Sequence, residues 1–234
     1  MTELLDDPTR GALAGFRMPA ESAPHERTLI AFPCREELWK GRLRDGQLAW
    51  VHVARTIAEY EPVTMLARPD DVALAEDLCA QSNVEVVAMP LDDSWLRDTA
   101  PIYVSNGRDR IALDFGFNGW GGKYLPCDAD DAVPRHWTER SGDRRIEVPM
   151  VLEGGSITVD GAGTIVTTEQ CLLHPNRNPA MTRAAIESTL RRSLGVERIV
   201  WLPYAIDDRD TDGHVDLVAM FIEPGRVLWQ GCDD

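Results

Sequence analysis

Residues 210–216 read Asp-Thr-Asp-Gly-His-Val-Asp and lead directly into the apolar run Leu-Val-Ala-Met-Phe-Ile at 217–222. This pattern predicts a β-strand, on which side chains two residues apart lie on the same face. His214 and Asp216 would then share a face, so that an acid/base stands beside a fixed negative charge. Gly213 would let a backbone or ligand approach closely. The alternative is a capped strand start with a hydrogen-bonded surface histidine.

The composition is that of a soluble globular protein with an unusual charge. The chain has 234 residues, 44% of them hydrophobic and 27% charged, which is enough for one large domain or two small ones. Its formal net charge is −15. Such acidity argues against nucleic acid or an anionic membrane as a partner and is compatible with a cationic ligand. It can equally serve solubility alone.

The cysteines and the N-terminus indicate the cellular compartment. The five cysteines are scattered and never spaced C-x-x-C, which predicts reduced thiols and neither a disulfide framework nor a zinc site. Residues 1–15 contain early acids and no long apolar core, so we expect neither a signal peptide nor an anchor. No run approaches the roughly 20 apolar residues of a spanning helix. We therefore expect a cytoplasmic protein without a membrane partner.

Short apolar strands alternate with amphipathic helices along the chain, which predicts an α/β fold made of several similar units. A glycine-rich loop, Asn118 to Tyr124, is expected to form a wall or lid of a site. The predicted strands are 28–32, 63–67, 84–89, 102–104, 110–115 and 198–202, with further strands inside 146–168 around the turn 160–163. The predicted helices are 45–59, 70–80 and 179–194.

Two other acidic elements accompany the histidine stretch. In Trp95-Leu96-Arg97-Asp98, an extended backbone would place Asp98 on the face opposite Trp95 and Arg97; the alternative is an Arg-Asp pair that caps a turn. In the second element, Glu153 directly precedes Gly154 and Gly155, and paired glycines are usual where another group must come close. A bulge with an outward glutamate is the alternative there.

Together these residues suggest a site for a flat cation. A guanidinium offers paired N–H donors on its edges, so two carboxylates flanking it can bind it bidentately. Asp98 and Asp216 would be those carboxylates, and His214 would be the general acid/base. Glu153 would orient His214 and favour its protonated form. A guanidinium carbon would also require a nucleophile, for which a cysteine thiolate is suited.

The chain resembles the agmatine deiminase family, a branch of the bacterial peptidylarginine-deiminase-like group. The resemblance runs from about Gly15 to the last residue. It is carried by ordered matches at 16–21, 24–28, 95–99, 117–124, 152–157, 160–168, 171–173, 176–179 and 211–216. It implies a pentein fold, which is a pseudo-fivefold propeller of α/β units around a central site.

The resemblance also implies roles for individual residues. Asp98 and Asp216 match the guanidinium-binding aspartates, His214 the catalytic histidine, and Glu153 its partner glutamate. We also expect Trp95 and Trp120 to contact the substrate. The implied reaction converts agmatine into N-carbamoylputrescine and ammonia, in putrescine biosynthesis, and requires neither metal nor organic cofactor. A homodimer is compatible with the sequence.

The nucleophile is where the sequence departs from the family pattern. The family's cysteine follows a glycine-rich Ile-His segment near the end of a longer chain, and no such segment occurs here. We therefore expect residues 1–14 to be an N-terminal extension and 15–234 to be a partial deiminase domain that is truncated at its C-terminus. Cys232 is a poor substitute, because its surroundings match a structural strand in the family. The expectation is a chain that carries the carboxylates and histidine but is inactive alone.

Three alternatives remain open at the level of sequence. The first is deimination of free arginine or peptidyl-arginine, since only the guanidinium-holding residues are recognisable. The second is a non-catalytic guanidine-binding module, a truncated paralogue of the enzyme. The third is a metal hydrolase built on His214, Asp212, Asp216 and Glu153, which is weak because a single histidine with carboxylates lacks the usual ligands of catalytic zinc.

Overall fold

The computed structural model describes residues 13–206 and 209–231, whose strands form three three-stranded sheets and one hairpin. The first sheet is parallel throughout, and the other two each combine one antiparallel and one parallel pair. Its strands are β1 (Thr28–Ala31), β2 (Val63–Ala67) and β3 (Val84–Ala88). The second sheet contains β4 (Ile102–Ser105), β5 (Arg110–Gly116) and β6 (Arg145–Val151). The third contains β7 (Ile157–Val159), β8 (Thr164–Thr168) and β9 (Arg198–Leu202), and the hairpin is β10 (Ala219–Glu223) with β11 (Arg226–Trp229).

Helices connect the parallel strands within each of the three sheets. The described α-helices are α1 (Glu36–Trp39), α2 (Leu43–Ile57), α3 (Val72–Cys79), α4 (Leu96–Thr99), α5 (Gly119–Gly122), α6 (Asp128–Asp131), α7 (Val133–Ser141), α8 (Glu169–Leu172) and α9 (Arg183–Leu194). Three short 3-10 turns accompany them, at Pro69–Asp71, Gly154–Ser156 and Val215–Leu217. Among residues 13–206 and 209–231, none of the helices combines the length and apolar character needed to cross a bilayer.

The second and third sheets repeat one topology. Each begins with an antiparallel pair, continues through a helix, and ends with a strand parallel to the second one. The connecting helices are α7 in the second sheet and α9 in the third, and β10 with β11 forms a further antiparallel pair. The prediction of several similar α/β units is confirmed by this repetition.

The parallel first sheet is covered by apolar side chains on both faces. All five residues of β2 are buried, as expected for a central parallel strand between two layers. Leu66 packs into one apolar cluster with residues of β3 and α7, whereas Met65 packs into a second with residues of α2 and α3. Successive residues of the strand therefore serve opposite faces.

The predicted secondary structure is correct for most elements and wrong around the candidate site. Asp98 lies in the helical turn α4 instead of an extended segment, and His214 and Asp216 flank a 3-10 turn instead of lying on a strand. The strand after them begins only at Ala219. Helix α9 begins at Arg183 instead of residue 179, since the Asn178 side chain bonds the backbone of Val151 at the end of β6.

Helix α9 provides a test of the core. Leu190 is fully buried in the cluster between the second and third sheets, whereas Leu48 of α2 is 47% exposed. We expect Leu190→Ala to lower the free energy of unfolding by about 2 to 5 kcal/mol, because it removes apolar contacts and leaves a cavity. Urea denaturation measures this change. If Leu190→Ala lowers the free energy of unfolding no more than Leu48→Ala does, the assignment of α9 to the core is contradicted.

Candidate active site

The candidate site converges on the backbone of Gly155. A Cβ atom at this position would lie 2.5 Å from His214 Nδ1 and 2.8 Å from both Asp98 Oδ1 and Asp216 Oδ2. The imidazole and the two carboxylates therefore surround one point, although they come from three separate parts of the chain. Only a glycine fits there, which explains the Gly-Gly pair that the sequence analysis singled out.

Asp98 is the most firmly held of the three groups. Its side chain is 9% exposed, Oδ1 accepts a hydrogen bond from the Gly155 N–H at 2.8 Å, and Oδ2 accepts one from Trp120 Nε1 at 3.0 Å. Burial raises the pKa of Asp98, in spite of these two donors and the charge of Arg97. A bound cation would favour the ionised form again.

His214 lies between Asp98 and Glu153 and is 2% exposed. Its Nδ1 is 3.8 Å from Asp98 Oδ1, and its Nε2 is 4.0 Å from Glu153 Oε2. Both separations exceed a hydrogen bond, so the ring has an acidic group facing each nitrogen without being tied to either. The two nitrogens thus have different surroundings, the carboxylate of Asp98 at Nδ1 and that of the buried Glu153 at Nε2.

Asp216 is the most accessible of the three groups around Gly155. Its side chain is 30% exposed, and Arg97 Nε lies 3.8 Å from Oδ2. Burial raises the pKa of Asp216, while the neighbouring charges of His214 and Arg97 oppose that shift. Arg97 is in turn paired with Glu21 at 2.5 Å, which fixes the guanidinium beside the site.

Glu153 is held from behind by a residue that the sequence analysis did not assign. Glu153 is fully buried, and its Oε1 accepts a hydrogen bond from Arg177 Nε at 2.7 Å. Arg177 also contacts Asp212 Oδ2 at 2.5 Å and donates to the Thr211 carbonyl at 2.8 Å. It therefore joins Glu153 to the segment that carries His214. The only sequence signal was its position in the Asn-Arg-Asn-Pro stretch that contributes to the family resemblance.

The glycine-rich loop closes this arrangement. Trp120 has a left-handed backbone, with φ at 53°, and its indole is buried against Asp98. Lys123 from the same loop binds Asp212 Oδ1 at 2.6 Å. The loop is thus a wall of the site, as predicted, and Trp120 orients a carboxylate.

Trp95 precedes the helical turn that carries Asp98. It is 44% exposed and makes an edge contact with Trp50, whose ring in turn contacts Trp39. The three indoles form a continuous aromatic row, and these contacts leave Trp95 partly exposed.

The described cysteines do not have the properties of a nucleophile. Cys34, Cys79, Cys127 and Cys171 are all free and buried. Burial raises the pKa of Cys34 to about 11, and it also raises the pKa of Cys171. Thiols that resist ionisation are poor nucleophiles. Cys232, which the sequence analysis weighed as a substitute, lies outside the described residues.

The contacts of Asp212 do not support the alternative of a metal hydrolase in which this carboxylate is a metal ligand. Lys123 occupies Oδ1, while Arg177 and Asn176 occupy Oδ2. Neither oxygen of Asp212 therefore remains for a metal shared with His214, Asp216 and Glu153.

Comparisons with known proteins identify a family and relatives of this chain. A family model described as Porphyromonas-type peptidyl-arginine deiminase matches residues 17–234. The chain is 44% identical over 226 residues to an agmatine deiminase of Pseudomonas aeruginosa, a match that covers 94% of this chain and 61% of that protein. It is 43% identical over 241 residues to an agmatine deiminase of Stutzerimonas stutzeri, covering 100% of this chain and 64% of the relative.

The same likeness appears among solved structures. An agmatine deiminase of Enterococcus faecalis matches with a TM-score of 0.91 and 37% identity, covering 94% of this chain and 62% of that one. This match confirms the expected α/β pentein fold. The chain spans about three fifths of the length of the relatives it matches.

Gly155 provides a test of the convergence. We expect Gly155→Ala to lower the free energy of unfolding by about 1 to 3 kcal/mol, because the added methyl group would collide with two buried side chains. Gly116→Ala is the control, since a Cβ there would meet its nearest atom, in Val151, at an ordinary 3.6 Å. Urea denaturation of both variants decides, and equal stabilities would show that the three groups do not crowd Gly155.

Asp212 provides a test of the electrostatics. Burial opposes its ionisation, but hydrogen bonds from Asn176, Lys123 and Arg177 outweigh burial and lower its pKa to about 2. Its contribution to stability is therefore fully present above its ordinary value of 3.8 and is lost as the pH falls through about 2. We expect Asp212→Asn to cost about 2 kcal/mol at neutral pH and to remove this part of the pH dependence.

The measurement is urea denaturation of both proteins at a series of pH values. Asp45→Asn is the control, because Asp45 is exposed and pairs with Arg42, which is exposed as well. Parallel curves for wild type and Asp212→Asn would refute the role given to this carboxylate.

Proposed function

Because the chain belongs to the Porphyromonas-type peptidyl-arginine deiminase family, we propose that it binds the guanidinium group of agmatine for deimination. The product of the reaction would be N-carbamoylputrescine, with release of ammonia. The names of the relatives favour agmatine over free arginine or peptidyl-arginine as the substrate.

One observation carries the proposal. Asp98 Oδ1, Asp216 Oδ2 and His214 Nδ1 all lie within 2.8 Å of the point where residue 155 would carry a Cβ. A planar cation with N–H groups on several edges suits carboxylates placed around it, and it relieves the cost of keeping buried acids ionised. A neutral or anionic ligand would do neither. The chain's net charge of −15 would also attract the dicationic agmatine.

The site residues account for most of the chemistry. Asp98 and Asp216 would hold the guanidinium while a cysteine thiolate adds to its central carbon. His214 would give a proton to the leaving nitrogen, so that ammonia departs and an S-alkylthiouronium remains. His214 would then take a proton from water, whose oxygen adds to that carbon and releases the thiolate. Glu153, held by Arg177, would keep a negative charge beside the imidazole during both transfers.

The thiolate is the part that the described residues do not provide. All four described cysteines are buried, and burial raises the pKa of Cys34 and of Cys171, which disfavours their thiolates. This observation favours a second candidate function, in which the chain binds guanidines without turnover. The two candidates share the same binding site and differ only in whether ammonia is released.

Other aspects of the proposal follow from the surroundings of the site. Trp95 is exposed and precedes the turn that carries Asp98, and by resemblance to the family it would contact the aliphatic part of the ligand. We place the protein in the cytoplasm, in keeping with its free cysteines. A homodimer is part of the proposal only by resemblance to the family.

Calorimetry with agmatine tests the binding site. We expect wild type to bind agmatine, and Asp98→Asn to weaken binding roughly 10-fold or more, because a charge-assisted bidentate pair is lost. Asp114→Asn is the matched control. Asp114, on β5, is a largely buried acid that pairs with Arg145 on β6. Putrescine, which carries an amine instead of the guanidinium, should bind more weakly than agmatine.

Three further measurements separate the alternatives. Comparison of agmatine with arginine and a blocked arginine peptide decides the ligand class, and an ammonia assay decides between turnover and binding alone. Equal affinity of wild type and Asp98→Asn for agmatine would end the proposal in either form.

A further inference from the structure

The interior side of the histidine carries a second site. We infer that Glu153, Cys171 and His214 form a buried binding site for a zinc-like divalent cation, which would hold the histidine in an unproductive state. The three donor atoms, one oxygen, one sulfur and one nitrogen, all lie within 4.8 Å of one another, and all three residues are buried. This site is separate from the guanidinium site, which lies at Nδ1 of the same ring.

The spacing of the donors suits a small metal ion. Zinc holds a thiolate sulfur at about 2.3 Å and imidazole or carboxylate atoms at about 2.0 to 2.2 Å. Tetrahedral bonds of that length place the ligand atoms roughly 3.3 to 3.8 Å apart. His214 Nε2 and Glu153 Oε2 are already 4.0 Å apart. A small rotation of the side chains would therefore complete the coordination of three protein ligands.

Glu153 gives the independent sign that this interior can accept a cation. Its Oε1 is bound by Arg177, but its Oε2 is buried and has no hydrogen-bond partner among residues 13–206 and 209–231. A buried carboxylate oxygen without a donor is costly, so it normally has a partner. This unsatisfied oxygen lies 4.0 Å from His214 Nε2, and Glu153 supplies one of the three donor atoms.

The local charges also permit a divalent ion. The carboxylate of Glu153 and a thiolate at Cys171 would supply two negative charges. The positive charge of Arg177 would repel a metal ion, but Asp212, which pairs with Arg177 at 2.5 Å, offsets that charge. A thiolate, an imidazole and a carboxylate together favour zinc or cobalt over magnesium or calcium, which prefer oxygen ligands alone.

Binding would change protonation without any redox step. The hydrated cation would lose water molecules, the S–H bond of Cys171 would break with its proton passing to buffer, and a metal–sulfur bond would form. His214 would donate the lone pair of Nε2, so the ring proton must sit on Nδ1, where Asp98 Oδ1 is 3.8 Å away. The ring would then be unable to cycle between its two protonation states, which is why bound metal would inhibit acid/base chemistry at this residue.

The test uses cobalt(II) as a spectroscopic probe and needs no substrate. In a Cys232→Ser background, which removes the cysteine outside the described residues, one equivalent of cobalt(II) should give a thiolate-to-metal charge-transfer band. At least one proton, that of the Cys171 thiol, should be released per bound ion in a weakly buffered solution, and a second one where His214 is protonated beforehand. Zinc should displace the cobalt and abolish the band, and magnesium should not.

The variants identify the thiol. Cys171→Ser and Cys171→Ala should both lose the band, whereas Cys79→Ser, which removes another buried cysteine in α3, should keep it. Absence of the band in the parent protein, or its persistence in either Cys171 variant, would overturn the inference. If a Cys171 variant fails to fold, the presence or absence of the cobalt band in the Cys232→Ser protein still tests the inference.

The outcome is independent of the deiminase proposal. Agmatine binding depends on Asp98 and Asp216, neither of which contributes a ligand to the metal site. Failure of the cobalt experiment would therefore leave the calorimetric result intact, and failure of calorimetry would not remove the cobalt band.

Discussion

The buried ion pair between Arg177 and Glu153 is the interaction on which the site depends. Both side chains are fully buried, at 0% exposure, and their atoms are 2.7 Å apart. Isolating either charge in the interior would cost several kcal/mol, so the two must be kept together. Arg177 also binds the Thr211 carbonyl and the Asp212 carboxylate. The pair thus anchors the segment that positions His214 and Asp216.

Turns, and not regular strands, bring together the groups that surround Gly155. Asp98 lies in a helical turn, Gly155 in a 3-10 turn, and His214 immediately before another. A turn can aim a side chain and a backbone N–H at the same point, as Gly155 N–H does toward Asp98. On a flat strand, the neighbouring side chains would point to opposite faces. The sheets supply a rigid base, and the turns at their ends supply the geometry.

This division explains how far the sequence alone could reach. Strands such as β2 and β9 were predicted with their observed bounds, because apolar runs of limited length give a clear signal. The meeting of Asp98, Glu153, His214 and Asp216 was also predicted, from their chemistry and the family resemblance. The turns were not, since extended and turn conformations of a short polar segment have no distinguishing periodicity. Arg177 was missed as well, because an arginine in a sequence gives no sign that it will be buried.

The two ring nitrogens of His214 lie in different surroundings. At Nδ1 the ring meets the polar, partly exposed site lined by Asp98 and Asp216. At Nε2 it meets a closed interior that contains Glu153 and Cys171. The carboxylate of Glu153 stands at this nitrogen, 4.0 Å from Nε2, while Asp98 stands at the other. The same arrangement attracts any cation small enough to enter. An interior that places a buried acid and a thiol behind a histidine must therefore also exclude metal ions, or respond to them.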